Sequence, residues 1–308
     1  GNLINKGTIA INTTTAFNAS KAVLTNEGAI KVAEKVPFTG ASEVDVVNGS
    51  GGSIQTTSTS DIFLEGTSTF TQGAGTTTTA QPAVYVKNGT VHYTGAGESS
   101  VAARGNVTLE GNLSAGQKLS DQTDNGTGNV HVTLGASLTN GGAITLTNGE
   151  SSGYAAYLTV PAADTLTNTG SITTEVAAGG ARHLEGNVIN KGTIQVNTAT
   201  EFNGEKGLLT NEGTLNVEKA TLTTSGESSL TDAAGGKIVA GSGGDVFMNA
   251  GRYTQGAGTT STTQPAVYVK NGALDYTGAG ESSVAARGSD TLEGNLSAGQ
   301  KLSDQTDN

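Results

Sequence analysis

Few side chains in this sequence are of the types that catalysis or metal binding requires. Charged residues make up only 14 % of the 308 residues, cysteine is absent, and histidine occurs three times. Enzymes that cleave polysaccharides need clustered carboxylates, often together with an arginine, a lysine or Ca²⁺. The residues that could form such a cluster are Asp45, Asp61, Glu65, Glu98, Arg104 and Glu110, with Asp245, Glu281, Arg287 and Glu293 as partial counterparts later in the chain.

The exchange of residue types between these counterparts argues against catalysis. Glu65 is matched by Asn249, and His92 is matched by Asp275. A catalytic acid, base or metal ligand would not tolerate such exchanges, because each replacement removes the group that binds or transfers the proton or holds the metal. We therefore predict that the chain is not an enzyme, with no catalytic residue, no metal site and no cofactor. The carboxylates are interpreted as turn-capping and solvated groups.

Three arginines precede a Leu-Glu-Gly-Asn sequence, namely Arg104, Arg182 and Arg287. We interpret them as structural residues that close turns of the chain by hydrogen bonds to carbonyl groups. The binding hypothesis concerns two tyrosines, Tyr154 and Tyr157, in the segment SSGYAAYLTVPAAD at residues 151–164. This segment is longer than its neighbours and is expected to bulge, so the tyrosines form either a small carbohydrate-stacking platform or a cover for the side of the fold.

The elements that position these residues follow from two nested repeats. Residues 71–105 and 254–288 differ at five of 35 positions, and the sequence GNLINKGTI at the start returns as GNVINKGTI from Gly186. The chain therefore contains one complete unit, residues 1–185, and part of a second, residues 186–308. We expect both units to belong to one continuous domain, and we expect the intact protein to continue the same repeats beyond this sequence.

A finer repeat, Leu-x-Asn-x-Gly-x-Ile, recurs within each unit at intervals of mostly 21 to 24 residues. Apolar residues alternate on both sides of the Asn-x-Gly sequence, which predicts two strands that face a core and are joined by a tight corner. Asn and Gly are interpreted as the residues that supply left-handed backbone at this corner. The corner asparagines are expected to stack into a hydrogen-bonded ladder. They are Asn5, Asn26, Asn140, Asn168, Asn190 and Asn211.

This spacing predicts an all-β fold, a right-handed parallel β-helix of about 14 turns, in which each turn buries the apolar side chains of its neighbours. The sequences LTNEGAI, LTNGGAI, LTNTGSI and LTNEGTL resemble the passenger domains of bacterial autotransporter adhesins and filamentous haemagglutinin-like exoproteins. The resemblance implies a β-helix carried outside the cell, either secreted or at the bacterial surface, often as a stalk that holds a distal binding tip.

The leading functional hypothesis is a passive rod that projects the receptor-binding region of an adhesin and takes part in cell adhesion or biofilm formation. The alternatives are a module that binds glycans or associates with an identical rod, and a β-helix enzyme that acts on polysaccharides. Duplication of whole units favours a stalk or multivalent weak binding, since enzymes normally carry one active site. Partners are expected among cell-surface glycans, proteins or copies of the rod. A net charge of −11 argues against nucleic acid, and the sequence lacks an apolar run that could insert in a membrane.

Overall fold

The protein is a parallel β-solenoid of about 13 turns, slightly fewer than the sequence predicts. The structure is a computed structural model that describes residues 1–18, 20–41, 43–123, 126–149, 153–176 and 179–306, and only the backbone of residues 204 and 205. Its regular elements are all strands, and the described residues contain no helix. The prediction of an all-β solenoid fold is therefore confirmed.

Most strands have three to six residues. Those of the first unit are β1 (Leu3–Asn5), β2 (Thr8–Ile11), β3 (Thr15–Ala16), β4 (Val23–Asn26), β5 (Ala29–Val32), β6 (Pro37–Ala41), β7 (Asp45–Asn48), β8 (Ser53–Gln55), β9 (Asp61–Glu65), β10 (Thr69–Gln72), β11 (Thr76–Thr77), β12 (Val84–Lys87), β13 (Thr90–Tyr93), β14 (Ser99–Arg104), β15 (Asn106–Glu110), β16 (Gln117–Thr123), β17 (Val130–Leu134), β18 (Leu138–Asn140), β19 (Ala143–Asn148), β20 (Ala156–Thr159), β21 (Leu166–Asn168) and β22 (Ser171–Thr174). Strand β23 (Arg182–Asn190) spans the junction between the units. The second unit continues with β24 (Thr193–Val196), β25 (Thr200–Asn211), β26 (Thr214–Val217), β27 (Leu222–Thr224), β28 (Ser229–Asp232), β29 (Lys237–Ala240), β30 (Val246–Asn249), β31 (Arg252–Gln255), β32 (Thr259–Thr260), β33 (Val267–Lys270), β34 (Ala273–Tyr276), β35 (Ser282–Arg287), β36 (Thr291–Gly294) and β37 (Gln300–Gln305).

Three faces run along the solenoid, and the strands within each face are parallel. The first face follows β1, β4, β7, β10, β13, β15, β17, β20, the first half of β23, the first half of β25, β27, β30, β33, β35 and β37. The second face begins with β2, β5, β8 and β11 and resumes with β18, β21, the second halves of β23 and β25, β28, β31, β34 and β36. The third face comprises β3, β6, β9, β12, β14, β16, β19, β22, β24, β26, β29 and β32.

Alternation of apolar and polar residues along each strand fills the interior. On the first face Leu24, Val46, Phe70, Val91 and Leu109 lie in register in successive turns, and each is at most 1 % exposed. The apolar side chains thus form columns along the axis, so that each turn covers the core of the next. The residues predicted to point inward are all buried, which confirms the predicted register: Leu24, Ile30, Val32, Leu138, Ile144, Leu209 and Val217.

The corner asparagines form two ladders instead of one. The first ladder lies between the first and second faces, where the side-chain amide of Asn5 donates to Asn26 at 2.8 Å and that of Asn26 to Asn48 at 3.0 Å. The second lies between the second and third faces, because its strands β18 and β21 belong to the second face. Its members Asn140, Asn168, Asn190 and Asn211 are joined by bonds of 2.8 Å, and Asn211 donates to Asp232 at 2.9 Å.

The glycine of each corner is needed for a reason other than the predicted one. None of Gly28, Gly170, Gly192 and Gly213 has positive φ. A Cβ on Gly192 would instead lie 2.1 Å from the carbonyl oxygen of Gly170, the equivalent residue one turn earlier. Successive corners approach so closely that only a hydrogen fits between them. The prediction of left-handed backbone is therefore wrong for this position, although it holds at Asn88 and Asn271, which have φ of 57° and 53°.

The repeated unit does not contain a whole number of turns. Eight successive pairings lead from β1 to β20 and then to the first half of β23, all on the first face. The residues that repeat β1, however, are Val188–Asn190 in the second half of β23, on the second face. Each unit therefore spans eight turns and one further face, and equivalent residues of the two units lie on adjacent faces.

Candidate functional site

Tyr157 lies in a stack of three rings on the outer side of the first face. Its neighbours in register are His131 in the preceding turn and His183 in the following turn. The ring centroids are 4.3 and 4.2 Å apart, and the planes are inclined by 13° and 5°. Both faces of the tyrosine ring are therefore covered, and only its edge is directed to the surface.

From the sequence, histidines are considered only as metal ligands or nucleophiles, and no such role is predicted for His131 or His183. Their relation to Tyr157 could have been found, because the three residues are separated by equal intervals of 26 residues. That interval marks equivalent positions only if each turn in this region has 26 residues, whereas the motif recurs at mostly 21 to 24. The stack was missed because the local turn length departs from the average.

The stack ends at a polar group in the next turn. His183 is buried, and its Nδ1 lies 3.4 Å from Oε2 of Glu201 and 3.4 Å from the side-chain nitrogen of Asn203. Burial lowers the pKa of the His183 imidazole, while Glu201 and Glu185 oppose that shift. The arrangement orders the surface and offers the edges of the rings for hydrogen bonding.

The second tyrosine of the predicted platform, Tyr154, is 41 % exposed and lies apart from the stack. Its ring is close to Gly128, where an added Cβ would be 3.7 Å away. At the opposite end of β20 is a groove of about 460 Å³, lined by Thr159, Val160, Pro161, Ala162, Glu185, Gly186, Asn187 and Lys206. The hydroxyl of Thr159 donates to Glu185 at 2.8 Å. Of the two predicted binding residues, only Tyr154 has a ring available for stacking by a ligand.

The segment that contains the tyrosines departs from the expected bulge. Residues 151 and 152 lie outside the described residues, but Ala156–Thr159 form the regular strand β20 of the first face. Pro161 and Asp164 then close a turn by a backbone hydrogen bond of 2.8 Å. The prediction of a bulge is wrong for this part, because the additional residues lengthen the corner and not the strand.

The carboxylates considered for catalysis do not converge. Asp45 and Glu110 lie on the first face, whereas Asp61 and Glu65 lie on the third. Asp45 accepts a hydrogen bond of 3.0 Å from the backbone of Thr69. Burial raises the pKa of Asp61, and Arg104 opposes the shift. These groups connect neighbouring turns.

Their partners are cations or backbone groups one or two turns away. Lys87 forms an ion pair of 2.8 Å with Glu65, and Nδ1 of His92 lies 3.9 Å from Glu110. In the second unit Arg252 pairs with Glu293 at 2.8 Å and with Asp275 at 3.6 Å. Exposed pairs of this kind contribute little to stability, about 0–1 kcal/mol each.

The three arginines divide into two groups. Arg182 is 1 % exposed and donates to the carbonyls of Glu175, Gly179, Gly180 and Ala181. This is the predicted role of closing a turn. Arg104 and Arg287 instead lie over the rings of Tyr85 and Tyr268, with the guanidinium carbon 4.4 and 4.2 Å from the ring centroid. Their side chains also donate to Gln122 and Gln305.

The described residues contain no group of three or more His, Cys, Asp or Glu side chains that could hold a metal ion. In the part of the chain that the structure covers, no helix is long and apolar enough to cross a membrane. Comparison with models of protein families, with curated proteins and with solved structures found no match.

Proposed function

We propose that the chain is a rod segment of a secreted or cell-surface bacterial adhesin, which holds a receptor-binding region away from the cell. The observation that supports this most is the continuity of the core. Apolar columns and paired strands connect every described turn to the next. Pairing continues across the junction between the two units, where the register between β23 and β25 shifts once. Such a structure resists bending and compression, and repetition of the unit changes only its length.

The surface of the solenoid also supports a rod function. Several charged groups pair across one or two turns, and three aromatic rings stack along the axis. At about 4.8 Å per turn, 13 turns give a rod of roughly 60 Å. Each additional unit would extend it by about 40 Å. The length of the projection would then be set by the number of units.

A display experiment tests this proposal. The chain is inserted between a surface anchor and a nanobody that recognises a known antigen, on bacteria that carry a polysaccharide layer. Capture by antigen-coated beads is expected to increase with one and then two copies of the chain. A flexible Gly/Ser linker of equal residue number is the control. On doubling, its mean end-to-end distance grows only by a factor of about 1.4, whereas the length of a rod doubles. A gain in capture on doubling that is no larger than the gain with the flexible linker would contradict the rod function.

A second function, glycan binding, is favoured by one observation, the exposed ring of Tyr154. Aromatic rings of this kind stack on the apolar face of sugars. Glycan-array binding of the chain without any attached tip, lost in Tyr154→Ala and retained in Tyr85→Ala, would establish it. Absence of binding by the parent chain would leave the rod proposal alone.

A further inference from the structure

The two asparagine ladders end differently. In the first unit the ladder ends on Asn48, whose side-chain nitrogen donates to the carbonyl of Thr76 at 3.0 Å. The equivalent residue of the second unit is Asp232, which is fully buried. Its Oδ1 accepts the hydrogen bond from Asn211, and its Oδ2 has no hydrogen-bond partner. An acidic residue thus occupies a position that an amide fills in the other copy.

The unpaired oxygen takes the place of the donor nitrogen. A Cβ built on Gly75 would lie 2.8 Å from Nδ2 of Asn48, and one built on the equivalent Gly258 would lie 2.5 Å from Oδ2 of Asp232. The counterpart of the Thr76 carbonyl is the carbonyl of Thr259. Two acceptors that face each other in a dry interior repel, unless one of them carries a proton.

The surroundings provide no positive charge. Asn211 and Gln255 lie in register with Asp232 on the adjacent turns, and the phenol of Tyr253 is close enough to interact with its charge. The hydroxyl of Tyr253 donates to Gln255 at 2.7 Å, and Tyr276 lies one turn beyond Gln255. Burial raises the pKa of Tyr253 well above its usual value and that of Tyr276 to about 12, so both phenols are neutral. None of these neighbours can compensate a buried carboxylate.

We propose that Asp232 is a pH-sensitive element of the rod. Its carboxyl group stays protonated inside the second ladder and donates to the Thr259 carbonyl as Asn48 does to Thr76. When it ionises, the corner between β28 and β29 loses a hydrogen bond and holds an unpaired buried charge. The second unit is then less stable at neutral and alkaline pH than in acid, while the corresponding corner of the first unit is unaffected.

The direction in which the pKa of Asp232 is shifted agrees with this geometry. Burial raises the pKa of Asp232 from 3.8 to about 7, and the hydrogen bond from Asn211 opposes the shift. The folded chain therefore binds this proton more tightly than the unfolded chain does. Below pH 4 both states are protonated and the group has no effect. Between about pH 4 and pH 7 the unfolding equilibrium constant rises about tenfold for each pH unit, and above pH 7 the effect is constant.

The two units differ at a second position that belongs to the same network. Tyr253 replaces Phe70, and its hydroxyl provides a donor to Gln255, whereas the equivalent oxygen of Gln72 has no partner. The second unit thus has both an acidic residue and an additional phenol at one buried corner. These two replacements turn an amide ladder into a network that contains a titratable group.

The test compares urea unfolding of the parent chain, Asp232→Asn and Asn48→Asp from pH 3.5 to pH 8.5. Asp232→Asn restores the residue that the first unit uses, so it is expected to fold. Its stability should equal that of the parent near pH 3.5, and its unfolding constant should be at least tenfold lower at pH 8. Asn48→Asp should lower the stability of the chain further at pH 8, because it places a second buried carboxyl group in the first ladder. The difference in stability between parent and variant removes the contribution of other titratable groups. One of these is Asp121, because burial raises its pKa well above its usual value.

Hydrogen exchange and infrared spectroscopy locate the effect. At pH 8 the amides of β28 and β31 should exchange at least tenfold more slowly in Asp232→Asn than in the parent, whereas those of β7 and β10 should not change. At pH 6 the parent should show a protonated carboxyl C=O band that Asp232→Asn lacks. Parallel stability profiles of parent and Asp232→Asn over the whole pH range would overturn the proposal, as would an Asn48→Asp variant with unchanged stability at pH 8.

Discussion

Single residues at the corners determine how closely successive turns can stack. The sequence indicates that Asn and Gly belong together at a corner, and the ladders show why asparagine is suited to it. Within a ladder an amide can donate both to the next asparagine and to a backbone carbonyl, as Asn168 does to Asn190 at 2.8 Å and to Thr193 at 3.1 Å. The role of glycine could not be predicted in the same way, because it depends on the distance between turns and not on the local chain.

The stacking role of glycine gives a prediction with a control inside the same motif. Gly192→Ala places a methyl group 2.1 Å from the Gly170 oxygen, so the backbone of two turns must separate. We expect a loss on the order of 3 kcal/mol in unfolding free energy. Gly7→Ala alters the same position of the motif in the first turn, where nothing lies within 4 Å, and should change stability by less than about 0.5 kcal/mol. Equal losses in urea titrations of both variants would show that glycine serves local conformation.

Within the strands, the alternation of apolar and polar residues alone was sufficient to predict which side chains face the core. Ile30 is 0 % exposed between Ile9 and Ile54, whereas the adjacent Lys31 is exposed. The face of the solenoid to which each strand belongs could not be predicted. The Leu-x-Asn-x-Gly motif is interrupted between Asn48 and Asn140, where Gln72 and Tyr93 occupy the corner, so the sequence gives no sign that the second ladder lies at a different corner.

Two neighbouring substitutions in β5 test the register. Ile30→Asp buries a carboxylate without a partner and is expected to lower the unfolding free energy by about 3–5 kcal/mol at pH 7. Lys31→Asp makes the same residue on the outer side of the strand and should cost less than about 0.5 kcal/mol. Thermal melting followed by circular dichroism measures both. A parent-like melting temperature for Ile30→Asp would mean that the strand is rotated.

The whole molecule behaves as a stack whose parts contact only their neighbours. Stability of such a structure is approximately a sum over turns and the interfaces between them. The sequence predicts this architecture from its periodicity, since a single turn cannot bury its own apolar residues. In the described turns equivalent positions lie directly above one another, apart from one register shift between β23 and β25.

Removal of a complete turn should therefore be tolerated. Asn190 and Asn211 are paired in register, so deletion of residues 191–211 joins Asn190 to Glu212 and removes one turn. We expect a folded rod about 4.8 Å shorter by solution scattering, with a similar strand signal in circular dichroism. Deletion of residues 191–200 removes about half a turn and should abolish the cooperative melting transition. Comparable damage from both deletions would exclude independent stacking of turns.

The one-face offset between the units has a consequence for the growth of a longer array. A gene duplication that adds a unit need not add a whole number of turns, because any of the three faces can continue from any other as long as inward residues remain inward. Each copy then turns its surface by one face relative to the copy before it, as the Phe63–Tyr85 pair on the third face and its counterpart Phe247–Tyr268 on the first face already show. Three copies restore the original orientation after twenty-five turns. An array of that length presents every surface feature of the unit on all three faces. Each feature is therefore available whichever side of the rod faces a neighbouring cell.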